Sequence, residues 1–223
     1  TKTRCISESA FSWTGITSIQ IPEGVTIIEK HAFYGCNSLK EVKLPSTLKT
    51  IEESAFYFCD ELTSINIPKS VSSIDRTAFH ECKNLTRIDV EEGNPNYKSI
   101  DGVLYSQDGA LIYYPPAIEN ESFKTPNDVT KIVSGAFEGI RFLKTIELSE
   151  QVQSIDTGIF SYSSVVERII VKGNPNIRKE AFANSKMLTY ASLKEVTALP
   201  KGMFSDCNSL ETVELSSNLE SIE

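Results

Sequence analysis

The amino-acid sequence predicts an α/β repeat solenoid, a right-handed superhelix with a parallel sheet on its concave face, short helical turns opposite and one β-hairpin insertion. Three observations predict this fold. A phenylalanine recurs at steps of 22 or 23 residues, each unit opens with a short alternating apolar segment, and one longer unit interrupts the series. A single coil of this size has no means of burying its own apolar side, whereas stacked coils do. The recurrent residues are Phe11, Phe33, Phe56, Phe79, Phe137, Phe160, Phe182 and Phe204.

The clearest unit is "LKEVKLPSTLKTIEESAFYFCDE", residues 39–61. Its segment "VKL" alternates with period two, which predicts a strand with one buried face. Pro45 then ends the strand, because proline has no N–H to donate to the ladder. The following apolar residues, at steps of three and four, predict a helical or 3₁₀ turn back. Nine strands are predicted in this way, at 16–21, 39–44, 62–67, 85–90, 121–126, 143–148, 166–171, 188–193 and 210–215.

Four cysteines occupy one position of the repeat, three residues after the phenylalanine: Cys36, Cys59, Cys82 and Cys207. Metal binding or nucleophilic catalysis is one interpretation, and packing is the other. Other units place Thr14, Ile140, Ser163 and Ser185 there, which favours a small inward-facing slot in which cysteine acts as a small apolar residue. We therefore expect free thiols. The two histidines, His31 and His80, are predicted to lie on the surface of turns.

The unit that begins at Leu85 is irregular, with 35 residues to its next equivalent position instead of 23. Its segments "GVLY" and "ALIYY" flank "SQDG", where Gly109 suits a three-residue hairpin loop. Tyrosines are concentrated here. They either cover the apolar edge of the stack or project as a contact patch, since tyrosine is enriched at interfaces. The candidate hairpin contact residues are Tyr105, Tyr113 and Tyr114.

Composition and motifs exclude several classes of function. The net charge is −8 and no basic cluster occurs, which disfavours nucleic-acid binding. No apolar run approaches 18 residues, so no membrane insertion is expected in this segment. The chain has no C-x-x-C spacing and only two histidines, so neither a metal nor a cofactor is expected. No nucleophile elbow, P-loop, H-E-x-x-H or dinucleotide-binding motif occurs, which predicts a non-enzymatic protein.

The repeats resemble those of the BspA-like leucine-rich repeat family of bacterial surface proteins. The resemblance depends on "IPEGVTIIEKHAFYGCNSLKEVKLPSTLKTIEESAFYFCDELTSINIP" and on "NPNYKSIDGVLYSQDGALIYYPP", which is similar to a hairpin insert of that family. It implies a secreted or surface-anchored protein at the cell surface or outside the cell. It also implies adhesion to a host matrix protein or a microbial surface protein, with no catalytic residues to transfer.

The outward side chains of the predicted strands are the candidate binding face. If the strands line a concave surface, two polar columns of mixed sign face outward there. We expect a protein-binding face; the alternative is a structural spacer that carries another domain away from the cell surface. The whole of residues 1–223 is predicted to be a single array, regular over 1–90 and 121–223, that continues in a longer natural protein. The candidate face residues are Glu41, Lys43, Arg87, Asp89, Glu147, Arg168 and Tyr190.

Overall fold

The computed structural model describes residues 4–160, 163 and 165–223. The chain folds into two compact units. Unit 1 comprises Thr1–Gln107 and Tyr113–Ala117, and unit 2 comprises Asp108–Ile112 and Ile118–Glu223. In both units each regular coil contributes a first strand, then a second strand, then the turn that carries the recurrent phenylalanine.

In unit 1 the first strands form two parallel pairs, each in register from one coil to the next. The second strands form one parallel sheet of four. The first strands are β2 (Ser18–Gln20), β4 (Glu41–Lys43), β6 (Ser64–Ile67) and β8 (Arg87–Val90). The second strands are β1 (Arg4–Ile6), β3 (Val25–Ile28), β5 (Thr50–Ile51) and β7 (Ser73–Ile74).

In unit 2 the first strands form one continuous parallel sheet of five. They are β12 (Ser122–Lys124), β14 (Thr145–Leu148), β16 (Arg168–Val171), β18 (Tyr190–Leu193) and β20 (Thr212–Leu215). The other strands, parallel as well, are β11 (Ala110–Tyr113), β13 (Lys131–Ile132), β15 (Ser154–Ile155), β17 (Asn176–Ile177), β19 (Ala198–Leu199) and β21 (Ser221–Ile222). All nine predicted strand segments therefore contain a strand, and the second strands are additional.

The prediction of short helical turns is wrong: the described part of the chain contains no helix. In the turn around Phe33, the N–H groups of Ala32, Tyr34 and Cys36 donate to the carbonyl three residues earlier. The N–H groups of His31, Phe33 and Gly35 between them donate instead to carbonyls of the next coil. Left-handed residues lie two positions before and two after the phenylalanine in most coils, as at His31 (φ 58°) and Gly35 (φ 71°). They reverse the local backbone, so a right-handed helix does not propagate through the turn.

The recurrent phenylalanines form the core. In unit 1, Phe56 lies between Phe33 and Phe79, with ring centroids 5.1 and 5.7 Å away and the planes within 9° of parallel. In unit 2 the corresponding rings are 5.7–5.9 Å apart and tilted by 34–40°. All five cysteines are free thiols, as predicted, and Cys36, Cys59 and Cys82 are fully buried.

The cysteine slot also has a polar role. The Cys59 thiol donates to the carbonyl of Phe33 at 3.3 Å, and Cys82 donates to that of Phe56 at 3.0 Å. The Ser185 hydroxyl, in the same slot, donates to the Phe182 carbonyl at 2.7 Å. A phenylalanine carbonyl therefore satisfies the donor of these three side chains, whereas Ile140 and Ser163 occupy the same slot without such a bond. The neighbouring Cys82 thiol and burial both raise the pKa of Cys59.

The irregular unit contains the predicted strands, β10 (Val103–Ser106) and β11, joined by three residues that include Gly109 at a φ of 92°. It also contains a second hairpin that the sequence analysis missed. Strand β9 (Tyr97–Ile100) pairs antiparallel with β10 through the two-residue turn Asp101-Gly102, both residues having positive φ. This hairpin lies beside the edge of β8 and is hydrogen-bonded to it, since the Ile88 N–H donates to the Gly102 carbonyl at 2.8 Å.

The three candidate tyrosines of the irregular unit are buried, which corrects the alternative of an exposed contact patch. Tyr105, Tyr113 and Tyr114 are each about 1% exposed. Tyr113 stacks on His80 with centroids 5.3 Å apart, and His80 is itself buried rather than on the surface. These rings cover the end of the unit 1 core, where the hairpin replaces the regular phenylalanine turn. They are not exposed enough to contact a partner protein.

Candidate functional site

The strand face of unit 2 is the set of outward side chains on β12, β14, β16, β18 and β20. Strand alternation places residues such as Ile146 and Ile169 in the core and their neighbours outside. The parallel register aligns the outward residues of successive coils in two rows. One row is Ser122, Thr145, Arg168, Tyr190 and Thr212, and the other is Lys124, Glu147, Ile170, Ser192 and Glu214.

Arg168 and Tyr190 make direct contact on this face. The Arg168 guanidinium carbon lies 3.9 Å from the centroid of the Tyr190 ring, a cation–π contact. The Tyr190 hydroxyl donates to the Glu214 carboxylate, which also pairs with Lys194 at 3.2 Å. The hydrogen bond from Tyr190, and then that from Lys194, hold the pKa of Glu214 below its ordinary value. Four side chains from three coils therefore restrain one another.

Glu147 is the centre of a second charged group. Its Oε1 lies 2.7 Å from Lys172 Nζ and 3.3 Å from Lys124 Nζ. Lys172 first, and Lys124 after it, lower the pKa of Glu147, although partial burial acts in the opposite direction. The Glu147 side chain is one-quarter exposed and the two lysine side chains are about half exposed, so these pairs order the surface more than they stabilise the fold.

An apolar stripe borders the unit 2 strand face and was missed by the sequence analysis. Phe142, Val165 and Met187 occupy one repeat position, immediately before the first buried residue of each coil. Met187 is 48% exposed. The stripe lines an open cleft of about 640 Å³. Equivalent positions in other coils carry Ser38, Glu61, Asn84 and Ser209, so comparison of repeat positions could have identified it.

Charged residues surround the stripe. Glu121 pairs with Lys144 at 3.0 Å, and the Arg141 guanidinium carbon lies 5.4 Å from the centroid of the Phe142 ring. Glu119 and Glu167 complete the lining of the cleft. An apolar centre with a charged rim is the composition of a protein-binding surface.

The strand face of unit 1 carries the other four candidates. Glu41 and Lys43 are exposed on β4, on either side of the core residue Val42. Arg87 makes two hydrogen bonds to Asp89, at 2.7 and 2.6 Å. That bidentate pair satisfies its own charges and raises the pKa of the Arg87 guanidinium. The structure therefore brings Arg87 together with Asp89, and Arg168 with Tyr190, while Glu147 joins two lysines that were not predicted.

Other kinds of site have no support in the described residues. No group of three or more histidine, cysteine, aspartate or glutamate side chains there is arranged to hold a metal ion. No helix in that part of the chain has the length and apolarity needed to cross a bilayer.

Comparison with known proteins identifies the family. The profile of the BspA type leucine rich repeat region matches in six copies over residues 4–107 and 113–223. The chain belongs to this family, as the sequence analysis predicted. Leucine-rich repeats of this kind are, as a class, modules for protein interaction rather than catalysis. A comparison with curated proteins finds no match.

Several solved bacterial proteins have similar structures. The pneumococcal vaccine antigen PcpA is 25% identical with a TM-score of 0.74, over 96% of this chain and 58% of that protein. A leucine-rich cell surface protein of Faecalibacterium prausnitzii is 29% identical with a TM-score of 0.66, over 91% and 60%. A leucine-rich repeat protein of Eubacterium ventriosum, 22% identical with a TM-score of 0.76 over 98% and 69%, supports the fold alone. The chain thus spans about three-fifths of the first two proteins.

Proposed function

We propose that this chain is a non-enzymatic protein-binding module of a bacterial cell-surface or extracellular protein, and that it acts in adhesion. The partner is a host matrix protein or a surface protein of another microbe, and the unit 2 strand face with its apolar stripe makes the contact. The family and the cell-surface relative from Faecalibacterium prausnitzii support the location.

The observation that carries the proposal is the ordered group Arg168, Tyr190 and Glu214. Arginine and tyrosine are the residues that contribute most to protein interfaces, especially where they are held in place before binding. Here Arg168 is stacked and Tyr190 is hydrogen-bonded in the free protein. A partner therefore loses little side-chain entropy at this point when it binds.

The apolar stripe adds the apolar surface that the mostly polar strand face lacks. Phe142, Val165 and Met187 offer a surface that a partner removes from water, at roughly 25 cal/mol per Å² of apolar area. The rim charges then select among partners and orient them, because unlike charges across an interface mainly affect specificity and association rate. A flat polar surface without this stripe would be a weaker candidate.

The proposal is tested with immobilised purified matrix proteins and whole bacterial cells as probes. Arg168→Glu and Tyr190→Ala should each weaken binding at least tenfold, and Met187→Glu should weaken it as well. Arg178→Glu is the matched control, because Arg178 is an exposed arginine of unit 2 that lies outside the strand face. Its binding should stay within about twofold of the parent.

A structural spacer is the alternative function. A spacer predicts no saturable binding to any of these probes and identical behaviour of all four variants. Arg87→Glu addresses the unit 1 strand face in the same assay. Loss of binding in Arg87→Glu with none in Arg168→Glu would move the interface to unit 1 and overturn the assignment to unit 2.

A further inference from the structure

Unit 1 carries a cluster of aromatic side chains on its turn side, outside the phenylalanine core. We name it the aromatic platform: Trp13, His31, Tyr34, Tyr57 and Phe58. The Trp13 ring meets Tyr34 edge-on at 5.5 Å between centroids, and Tyr34 stacks on Tyr57 at 5.3 Å. His31 meets Tyr34 edge-on at 5.1 Å, and Phe58 meets Tyr57 edge-on at 4.6 Å. The side chain of Trp13 is 64% exposed.

The repeat does not require this platform. The position after the core phenylalanine holds Tyr34 and Tyr57 in two coils, but Ser12, Glu138, Ala183 and Ser205 in others. The platform residues Trp13 and Phe58 lie two residues after the core residues Phe11 and Phe56. Around Phe137, Phe182 and Phe204 neither position is aromatic, whereas His80 follows Phe79 and Tyr162 stands two residues after Phe160 in the sequence. The repeat therefore does not need an aromatic residue at these positions in every coil.

The platform is also unfavourable for the backbone. Trp13 and Phe58 have φ values of 59° and 60°, in the left-handed region that bulky residues rarely adopt. Other coils place Gly35, Glu81, Gly139, Asn184 or Asp206 at the same turn position. Backbone strain retained where an unstrained residue would serve is characteristic of binding sites.

Gly35 makes room for the exposed indole. A Cβ atom on Gly35 would lie 2.4 Å from the Trp13 ring, so only glycine allows the ring to lie flat on the backbone of the next coil. The ring is thereby fixed with its opposite face open. A fixed, open aromatic face is a surface for stacking.

An open cleft of about 290 Å³ adjoins this face, close to the lower limit for small-molecule sites. Its lining is Ser9, Ser12, Trp13, His31 and Tyr34. Among the described residues, the hydroxyls of Ser9 and Ser12 have no hydrogen-bond partner, so both are available to a ligand. The lining contains no carboxylate, lysine or arginine.

We propose that this cleft binds a neutral sugar ring of a glycan. The apolar C–H face of a pyranose matches the flat indole, and its hydroxyls match the serine hydroxyls, the imidazole and the phenol. A cationic ligand would gain only the cation–π attraction of the rings, with no carboxylate in the lining to balance its charge, and an anionic one would find no arginine or lysine. An aliphatic ligand would leave the polar groups unused and desolvated.

The experiment uses a glycan array followed by titration of the binding oligosaccharide. Trp13 is the single tryptophan of the sequence, so intrinsic fluorescence reports on this cleft directly. A neutral glycan should bind and change the tryptophan emission saturably. Trp13→Asn keeps a residue that tolerates positive φ, and it should lose at least tenfold in affinity by calorimetry without unfolding. Tyr34→Ala should lose as much.

The control variant is Ile222→Ala, which removes an apolar side chain that is 69% exposed in unit 2 and should bind within about twofold of the parent. Three results would each overturn the proposal. These are an array on which no neutral glycan binds, binding that survives both Trp13→Asn and Tyr34→Ala, and a bound glycan that leaves the emission unchanged. None depends on the strand face of unit 2, so this test and that of protein binding succeed or fail separately.

Discussion

Replacing Phe56 with alanine should destabilise unit 1 more than the same change at Phe11. Phe56 is fully buried and has a stacked ring on each side, Phe33 at 5.1 Å and Phe79 at 5.7 Å. Truncation of a buried phenylalanine costs about 3–5 kcal/mol of unfolding free energy. Each ring pair adds about 0.5–1.5 kcal/mol beyond the buried area. Because Phe56→Ala loses two ring pairs, we expect its cost in unfolding free energy to lie in the upper half of the range for a buried phenylalanine.

Phe11 is the matched comparison within the same column of rings. It is only half-buried and stacks on a single neighbour, Phe33, at 5.2 Å. We therefore expect Phe11→Ala to cost about half as much as Phe56→Ala. Urea unfolding followed by circular dichroism gives both free energies.

Hydrogen exchange locates the damage along the chain. In a stack, each coil contacts only its neighbours, so the amides of Phe33, Phe56 and their coils should lose protection first in Phe56→Ala. Equal destabilisation by the two variants, or a loss below about 1.5 kcal/mol for Phe56→Ala, would refute the account of the core as a column of stacked rings.

Three further predictions follow from other contacts. Gly102→Ala should lower the free energy of unfolding by about 1–3 kcal/mol, because Gly102 has a φ of 81° and an added Cβ would lie 2.8 Å from Arg87 Cβ; an unchanged melting curve would contradict this. Ellman's reagent should label Cys5 before the other thiols of the native protein, because Cys5 is exposed whereas Cys36, Cys59 and Cys82 are fully buried, and all five should react after unfolding; prompt labelling of Cys59 would be inconsistent with the slot. NMR titration should place the pKa of Glu147 below the ordinary glutamate value of about 4.3. Its ion pairs therefore contribute to stability at a pH above that value, and this contribution is lost as the pH falls through the lowered pKa. Lys172→Ala should raise the pKa of Glu147 more than Lys124→Ala does.

The sequence was sufficient for the first strands and the core. Alternation in segments such as "VKL" predicted β4, and a recurrent phenylalanine predicted the buried column. Second strands such as β5 and β7 span two residues, which is too short for a period-two pattern to be recognised. Their apolar residues therefore suggested helical spacing. The left-handed turn positions carried His31, Ser54 and Phe58 as well as glycines, so glycine alone did not mark them.

The sequence predicted which residues of the candidate site lie beside one another on neighbouring strands, but not which side chains make contact. Arg168 and Tyr190 were predicted to face outward on neighbouring strands, and the structure pairs them in register. Their stacking depends on side-chain conformations that periodicity does not determine. The sequence left open whether the hairpin tyrosines cover the edge of the stack or project from it, and their burial supports the first alternative. The β9–β10 hairpin was missed because the Asp101-Gly102 turn, a strong hairpin signal, was overlooked.

The direction of the turn's hydrogen bonds has a consequence for synthesis and truncation. Phe33 N–H donates to Ala55 O, and Phe56 N–H donates to Ala78 O, always toward the coil made later. During synthesis, about half of the N–H groups in the turn of a new coil therefore have no hydrogen-bond acceptor until the next coil has been translated. Shortening the protein from its carboxyl side, between any two regular coils, should leave the new last turn frayed, whereas shortening from the amino side should spare the turns that remain.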